Sequence, residues 1–290
     1  MAGSPLLVRV RNRVERVRQH RWRMAAYHSD ERHIVMGGAP RSGTTLLRRL
    51  FDRHPEICSG AETKLFVPAA FRLEWLAESH HIPLGELQAM RAEASSQGAF
   101  IDTFAARVRA DAGKARWAEK TPQNIRSLDW IIERFPEASI IHIVRDGRDV
   151  VCSMRQHPDW RWVDGQWQKV LVPRSVETYA QRWLSDVFTG LTWRDDPRYV
   201  EVRYEDLVAD PAGALRAICD GIGATVDSGW LAEVGRREAA DDAGQTKRPD
   251  YEGAISGASV GRWRTDLNAA EQQEVERLCG PQLRELGYEA

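Results

Sequence analysis

The chain has 290 residues and a formal net charge of −1 at pH 7. The length suffices for one large or two small domains with a buried core, and the near-zero charge gives no indication of a polynucleotide partner. The four cysteines form no C-x-x-C pair, and no apolar stretch approaches the roughly 18 residues that span a bilayer, so we expect a cytoplasmic protein without a metal site or disulfides.

Residues 1–24 differ in composition from the rest of the chain. Val10, Val14 and Val17 share one helical face, and seven arginines surround them, at positions 9, 11, 13, 16, 18, 21 and 23. A basic amphipathic helix of this kind can make weak contact with an anionic membrane or bind RNA. More commonly, such a segment is a solvated arm or a helix that packs on the domain through its valines. We predict a basic N-terminal arm over residues 1–30 and one domain over residues 31–290.

Short apolar runs alternate with helical patterns from residue 33 onward. Ser139–Val144 is the clearest strand, because the run is continuous and rich in β-branched residues. Four more strands are predicted at His33–Gly37, Glu56–Ser59, Ala115–Ala118 and Tyr199–Val202. Helices are predicted at Gly43–His54, Ala99–Ala112, Gln123–Phe135, Gly147–Gln156, Ser175–Arg194, Pro211–Gly221 and Ala269–Leu286. This alternation predicts an α/β fold of the P-loop type, an open parallel sheet with helices on both faces.

A glycine-bounded turn, GGAPRSGTT at residues 37–45, follows the first predicted strand. Its G-x-x-x-x-G spacing is that of a phosphate-binding loop, which points backbone N–H groups and a helix N-terminus at an anion. Thr44 replaces the lysine that follows the second glycine in nucleoside triphosphatases, while Thr45 keeps the hydroxyl position. The nearest cation is Arg41. We therefore expect this loop to hold the anionic end of a nucleotide without the usual lysine.

Polar residues follow the other predicted strands. Glu62 comes after the second strand, Lys120 after the third and Arg145 after the fourth. Ligands of open parallel sheets bind at the carboxyl ends of the strands. We therefore expect these residues to converge on the phosphate loop and to form an active site.

These segments resemble the sulfotransferases that use 3′-phosphoadenosine 5′-phosphosulfate (PAPS). Residues 38–46 resemble the family's 5′-phosphosulfate loop. Residues 143–153 resemble its 3′-phosphate-binding segment, with Arg145 at a strand end and Ser153 on the next helix. The V-R-Y-E-D-L run at 202–207 and the G-R-W-R run at 261–264 are also typical. The resemblance spans about residues 33 to 288 and implies a sulfotransferase domain over residues 31–290.

Within that family the chain is most similar to the tyrosylprotein sulfotransferases and their bacterial relatives. R-S-G-T-T-L at residues 41–46 runs on to H-P at 54–55 and G-A-E-T at 60–63, as in that branch. The branch that acts on small molecules has a catalytic histidine in a K-T-H pattern, where this chain has Pro122. The base must therefore come from elsewhere, and Glu62 matches the glutamate of the tyrosylprotein branch. The resemblance does not make peptide tyrosine the acceptor.

The resemblance implies three catalytic residues. Glu62 is the candidate general base, because an acceptor hydroxyl must lose its proton as it bonds to sulfur; the alternative is a helix cap or a surface acid. Lys120 and Arg41 are expected to stabilise the oxygen released from sulfur, although a lysine at a strand end commonly faces solvent. PAPS is the implied sulfuryl donor, and no metal is required.

The same resemblance implies the positions that bind PAPS. Donors at the 5′-phosphosulfate come from the loop, where the threonines could also act as helix caps. A planar guanidinium suits the 3′-phosphate, since it makes two charge-assisted bonds; an internal Arg–Asp network describes Arg148 and Asp149 better. The implied PAPS-binding positions are Arg41, Ser42, Gly43, Thr44, Thr45, Arg145, Ser153, Tyr204 and Arg262.

Other polar and aromatic residues have weaker functional interpretations. His142 alternates inside an apolar strand and is expected to be a core residue. Trp160, Trp162 and Trp167 either stack on an acceptor or pack a loop onto the domain.

The leading hypothesis is transfer of the sulfuryl group of PAPS to an acceptor hydroxyl. The candidate acceptors are a small molecule, a glycan, a lipid and a peptide. A P-loop kinase for small metabolites is one alternative, although the missing lysine and the lack of an acidic strand end for Mg²⁺ disfavour it. A non-catalytic nucleotide-binding protein that the basic arm brings to a membrane or to RNA is the other.

Overall fold

The computed structural model describes residues 5–68, 71–163, 166–241, 255 and 257–289. Five parallel strands form the central sheet in the order β2-β3-β1-β4-β7, and β5 and β6 form a separate antiparallel hairpin. The strands are β1 (Ile34–Gly37), β2 (Ile57–Ser59), β3 (Arg116–Lys120), β4 (Ser139–Val144), β5 (Asp159–Val163), β6 (Gln166–Val170) and β7 (Tyr199–Arg203). The predicted parallel α/β sheet is confirmed.

Helices connect the strands and cover the sheet. They are α1 (Pro5–Met24), α2 (Thr44–Asp52), α3 (Leu73–His80), α4 (Leu84–Glu93), α5 (Gln97–Ala112), α6 (Leu128–Arg134), α7 (Gly147–Arg155), α8 (Val176–Leu191), α9 (Tyr204–Ala209), α10 (Pro211–Ile222), α11 (Ser228–Asp241), α12 (Trp263–Asp266) and α13 (Ala269–Glu285). Short 3-10 helices span Pro122–Ser127 and Gly257–Ser259. Among the described residues, no helix is both long and apolar enough to cross a bilayer.

Helices lie on both faces of the sheet, as predicted. Ile34 and Met36 of β1 point into an apolar cluster with residues of α2, α9, α10 and α11. Val35, between them, points into the cluster on the other face with residues of α5 and α6. Because both faces of β1 are buried, the residues that point to either face are apolar. This is why the sequence of β1 is a continuous apolar run.

Local sequence signals set several helix ends. Ser96 caps α5 by accepting from the amide of Ala99, and Gly113 ends the helix in the left-handed conformation. Asn268 and Glu271 form a reciprocal capping box at the start of α13. Each of these caps satisfies backbone groups that a helix leaves without an internal partner.

The predicted basic arm forms helix α1. Val14 and Val17 are 61% and 47% exposed, so the interpretation in which these two valines pack the helix onto the domain is wrong. The helix instead contacts the domain through its last turn, where the Trp22 indole donates to the Ala94 carbonyl at 3.0 Å and Arg23 donates to the Phe66 carbonyl at 2.9 Å. The boundary at residue 30 stays a prediction.

Some elements differ from the sequence-based expectation. The helix predicted over Gln123–Phe135 is a 3-10 helix followed by α6. The sequence patterns did not reveal α3, α4, the β5–β6 hairpin, α9, α11 or α12. The side chains of Trp160, Trp162 and Trp167 lie outside the described residues, so their two interpretations stay open.

Candidate active site

The phosphate loop connects β1 to α2 in a conformation that its glycines permit. Gly38 and Gly43 have φ of 151° and 94°, where L side chains are strained. A Cβ on Gly38 would lie 2.4 Å from the Ile143 carbonyl oxygen, and one on Gly43 would lie 2.4 Å from the Tyr204 ring. The loop therefore sits directly against β4 and the residue that follows β7.

Two other loop residues have unusual features. Arg41 has a φ of 74°, a left-handed conformation that a non-glycine residue adopts only where the surroundings hold it. The Ser42 hydroxyl is buried and has no hydrogen-bond partner within the described structure. Thr44 and Thr45 begin α2, so the helix N-terminus opens toward the carboxyl end of the sheet.

Glu62 and Lys120 form an ion pair beside this loop. Lys120 ends β3, and its Nζ lies 2.6 Å from Glu62 Oε1 and 3.4 Å from Thr45 Oγ1. The Lys120 side chain is 4% exposed and that of Glu62 is 34% exposed. The candidate base is thus open to solvent, while the candidate cation reaches both the base and the phosphate loop from inside the protein.

Arg145 forms the centre of a second group of site residues. Its guanidinium donates to the Arg41 carbonyl at 3.1 Å and to the Ser259 carbonyl at 2.5 Å, and it lies 4.5 Å from the centre of the Tyr204 ring. Tyr204 and Ser259 share a hydroxyl hydrogen bond of 2.8 Å. The Arg145 Nε is buried without a partner among the described residues.

Arg41 contacts this second group rather than Lys120. Its Nε donates to Ser153 Oγ at 3.0 Å. The structure therefore brings together four of the predicted positions, Arg41, Arg145, Ser153 and Tyr204. A role for Arg41 at the breaking bond stays a prediction.

The late loop that carries Arg262 is held by α7. Asp149 accepts from the backbone amides of Gly261 at 2.7 Å and Trp263 at 3.0 Å. The Arg262 side chain donates to Asp266 and to Gln156. Burial raises the pKa of Asp149, against the lowering effect of the two amides.

The expected Arg–Asp network within R-D-G-R-D is confirmed. Arg148 pairs with Asp146 at 2.8 Å, and Asp149 lies 4.0 Å from Arg145 while it also holds the late loop as described. His142 is fully buried and hydrogen-bonded to the Tyr199 hydroxyl, which confirms it as a core residue. Burial lowers its pKa to about 3.

Sequence reasoning missed two residues of the site, Ser259 and Glu119. Ser259 lies two positions before the glycine of the G-R-W-R run, and that proximity was its only signal. Glu119 is buried beneath the turn that follows Glu62 and accepts four hydrogen bonds. No sequence pattern could reveal that contact, because it joins segments 56 residues apart.

Comparison with known proteins identifies the family. A family model described as "Sulfotransferase family" matches residues 33–228. The chain belongs to the sulfotransferase family. The match covers the phosphate loop, Glu62, Lys120 and the Arg145 segment, and it ends before the late loop.

Curated relatives of this chain include bacterial and animal proteins. Nodulation protein NoeE of Sinorhizobium fredii is 29% identical over 287 residues, covering 87% of this chain and 65% of the relative. Protein-tyrosine sulfotransferase 2 of Gallus gallus is 33% identical over 195 residues, covering 66% of this chain and 50% of the relative. The chain thus spans less than two thirds of the length of either relative.

Solved sulfotransferase structures share the fold. The sulfotransferase domain of the Synechococcus PCC 7002 olefin synthase superposes with a TM-score of 0.60 at 22% identity, covering 92% of this chain and 98% of that domain. Mouse sulfotransferase SULT7A1, solved in complex with PAP, superposes with a TM-score of 0.55 at 16% identity, covering 89% of this chain and 86% of the mouse protein. At these identities the likeness concerns the fold.

Proposed function

We propose that this protein transfers the sulfuryl group of PAPS to an acceptor hydroxyl and releases adenosine 3′,5′-bisphosphate. The observation that carries the proposal is the Glu62–Lys120 pair beside the phosphate loop, with Nζ and Oε1 2.6 Å apart. A carboxylate that can take a proton thus lies against an ammonium that can stabilise a leaving oxygen. Membership of the sulfotransferase family supports sulfuryl transfer and gives no support to the kinase alternative.

The polar groups of the site fit PAPS. Ser42 Oγ and Arg145 Nε are buried without partners in the described structure, and such groups are costly unless a ligand or water satisfies them. The loop amides and the α2 N-terminus suit the 5′-phosphosulfate. Arg145 and Ser153 suit the 3′-phosphate, because Arg145 offers a planar, charge-assisted donor set. Arg41 and Tyr204 hold that guanidinium from two sides.

In the proposed mechanism the protein positions groups and moves one proton. PAPS supplies the activated sulfuryl group. Glu62 accepts the proton of the acceptor hydroxyl as the hydroxyl oxygen approaches sulfur in line with the departing oxygen. Lys120 places its ammonium, which carries three N–H donors, between the base and the phosphate loop, and it stabilises the negative charge that develops there.

In this proposal the acceptor binds on the solvent-exposed side of Glu62. The names of the relatives refer to protein tyrosine and to nodulation, and only the first of these names an acceptor. We propose only a hydroxyl acceptor, carried by a small molecule, a glycan, a lipid or a peptide. The indole of Trp75 lies beside Glu62 and donates to its backbone carbonyl at 2.8 Å.

Labelled PAPS tests this proposal. The protein is incubated with PAPS labelled in the sulfuryl group and with panels of phenols, sugars, lipids and peptides. We expect label in one acceptor class and an equal amount of adenosine 3′,5′-bisphosphate. A protein that neither transfers label nor binds adenosine 3′,5′-bisphosphate would contradict the proposal.

We also propose that α1 makes weak contact with an anionic membrane surface. Residues 13–20 are exposed throughout, and Val14 and Val17 face away from the domain among arginines. Exposed apolar side chains flanked by cations are typical of helices that lie on anionic lipid.

A further inference from the structure

A buried carboxylate that the proposed mechanism does not use lies beneath the turn after Glu62. Glu119, the residue before Lys120 in β3, is 2% exposed. Its Oε1 accepts from the Thr63 amide at 3.1 Å, the Thr63 hydroxyl at 2.8 Å and the Thr121 hydroxyl at 2.7 Å. Its Oε2 accepts from the Asn124 side-chain amide. All four neighbouring groups therefore donate to one carboxylate.

The two hydroxyls extend this anchor along the turn. The Thr121 hydroxyl accepts from the Lys64 amide at 3.1 Å, and the Thr63 hydroxyl accepts from the Leu65 amide at 3.2 Å. Three successive amides, those of residues 63, 64 and 65, thus reach Glu119 directly or through one hydroxyl. Lys64 has a φ of 58°, and a left-handed non-glycine residue persists where neighbouring contacts hold it.

Asn124 connects the same carboxylate to the centre of the sheet. Its side-chain amide also donates to the Met36 carbonyl in β1 at 3.1 Å. Successive residues of a strand point to opposite faces. The Lys120 side chain therefore contacts Glu62, while the Glu119 side chain contacts Thr63. Neighbouring residues of β3 therefore hold neighbouring residues of the turn.

We propose that Glu119 is a positioning residue, whose carboxylate fixes the turn at residues 63–65 so that Glu62 stays against Lys120. This inference rests on the proposed function of Glu62 as the base. Both oxygens of the Glu119 side chain accept hydrogen bonds, whereas an amide has one accepting and one donating end. Glutamine at this position would therefore turn an N–H group toward either Asn124 or the threonine donors.

The test compares Glu119→Gln with a control carboxylate in α5, Asp102, which contacts His33 just before β1. Asp102 is also a carboxylate with three hydrogen-bond donors, from Tyr27, Ser29 and His33. For Glu119→Gln we expect kcat to fall roughly tenfold to a hundredfold, as for a displaced catalytic group, with Kd for adenosine 3′,5′-bisphosphate within about twofold of wild type. Hydrogen exchange should speed up at the amides of residues 63–65. Asp102→Asn should change neither kcat, nor the Kd for adenosine 3′,5′-bisphosphate, nor hydrogen exchange at residues 63–65.

The outcomes separate this inference from the proposed function. Unchanged kcat and unchanged exchange at residues 63–65 would overturn the positioning role, and so would parallel losses of kcat, ligand binding and protection throughout the chain. If the wild type transfers no label from PAPS, the proposed function fails, while exchange at the turn still tests the anchor. Should Glu119→Gln not fold, Thr121→Val removes one hydroxyl of the anchor and is expected to give a smaller effect in the same direction.

Discussion

At the scale of single residues, the Glu62–Lys120 pair has a structural and a chemical role. A buried ammonium is costly unless an acceptor pairs with it, and Lys120 is almost fully buried. Glu62 supplies that partner and, being one third exposed, also remains accessible to an acceptor hydroxyl. A change at Glu62 must therefore keep a hydrogen-bond acceptor for Lys120 if chemistry is to be separated from folding.

Glu62→Gln meets that requirement. The amide oxygen can still accept from Lys120, but it cannot take up a proton at neutral pH. We expect kcat to fall by roughly a hundredfold or more, as for a removed general base, with binding of adenosine 3′,5′-bisphosphate retained. Glu74→Gln, a change to an exposed glutamate paired with Arg72, is the control. A Glu62→Gln protein with a wild-type rate would remove Glu62 from the mechanism.

Arg145→Ala tests the assignment of the 3′-phosphate. We expect binding of adenosine 3′,5′-bisphosphate to weaken far more than binding of adenosine 5′-phosphate, because only the first ligand carries the group that Arg145 is proposed to bind. Calorimetric titration of both nucleotides gives the comparison. Arg155→Ala is the control, since Arg155 lies on the helix that follows Arg145 but pairs with Glu271. Equal losses for both nucleotides would contradict the assignment.

At the scale of secondary-structure elements, β4 shows what the sequence can predict. Its bounds were predicted correctly, because a continuous apolar run has little other explanation in an alternating α/β pattern. The position of Arg145 directly after this strand was predicted for the same reason. The anchoring of the late loop by Asp149 could not be predicted, since it joins residues more than a hundred positions apart. Helices α3 and α4 were missed because their apolar residues follow no clear helical period.

The buried histidine of β4 makes stability depend on pH. Burial lowers the pKa of His142 to about 3, and burial likewise lowers that of His80 in α3 to about 4. The unfolded chain takes up protons near pH 6.5, whereas the folded protein does not. The free energy of unfolding should therefore fall as the pH falls from 7 to 5, by up to about 2 kcal/mol for each histidine.

Urea denaturation at pH 7, 6 and 5 measures this effect. His142→Gln removes one titrating group, so the pH slope of its unfolding free energy should be shallower than that of wild type, whatever its absolute stability. His28→Gln is the control, because His28 is exposed, and its slope should match wild type. Identical slopes in wild type and His142→Gln would refute the contribution of His142.

At the scale of the whole molecule, the site depends on segments from much of the described chain. The phosphate loop, the Glu62 turn, the end of β3, α7 and the loop at residues 257–263 all contribute contacts. The last turn of α1 packs against the domain beside α5, where Trp22 lies 6.1 Å from Phe100 between ring centres. Residues 13–20 of α1 are exposed, which leaves their arginines and the side chains of Val14 and Val17 accessible to a partner.

Binding to vesicles tests whether that partner is an anionic lipid surface. We expect the protein to cosediment with vesicles that contain phosphatidylserine and to remain free with phosphatidylcholine alone, because each arginine near an anionic surface contributes about 1 kcal/mol. Added salt should weaken binding, since it screens exposed charges. Replacing Val14 and Val17 together by serine should also weaken binding, whereas Val260→Ser, at another exposed valine, should not. Equal binding to neutral vesicles, or binding to RNA in place of lipid, would contradict the membrane proposal while leaving the sulfuryl-transfer assay unaffected.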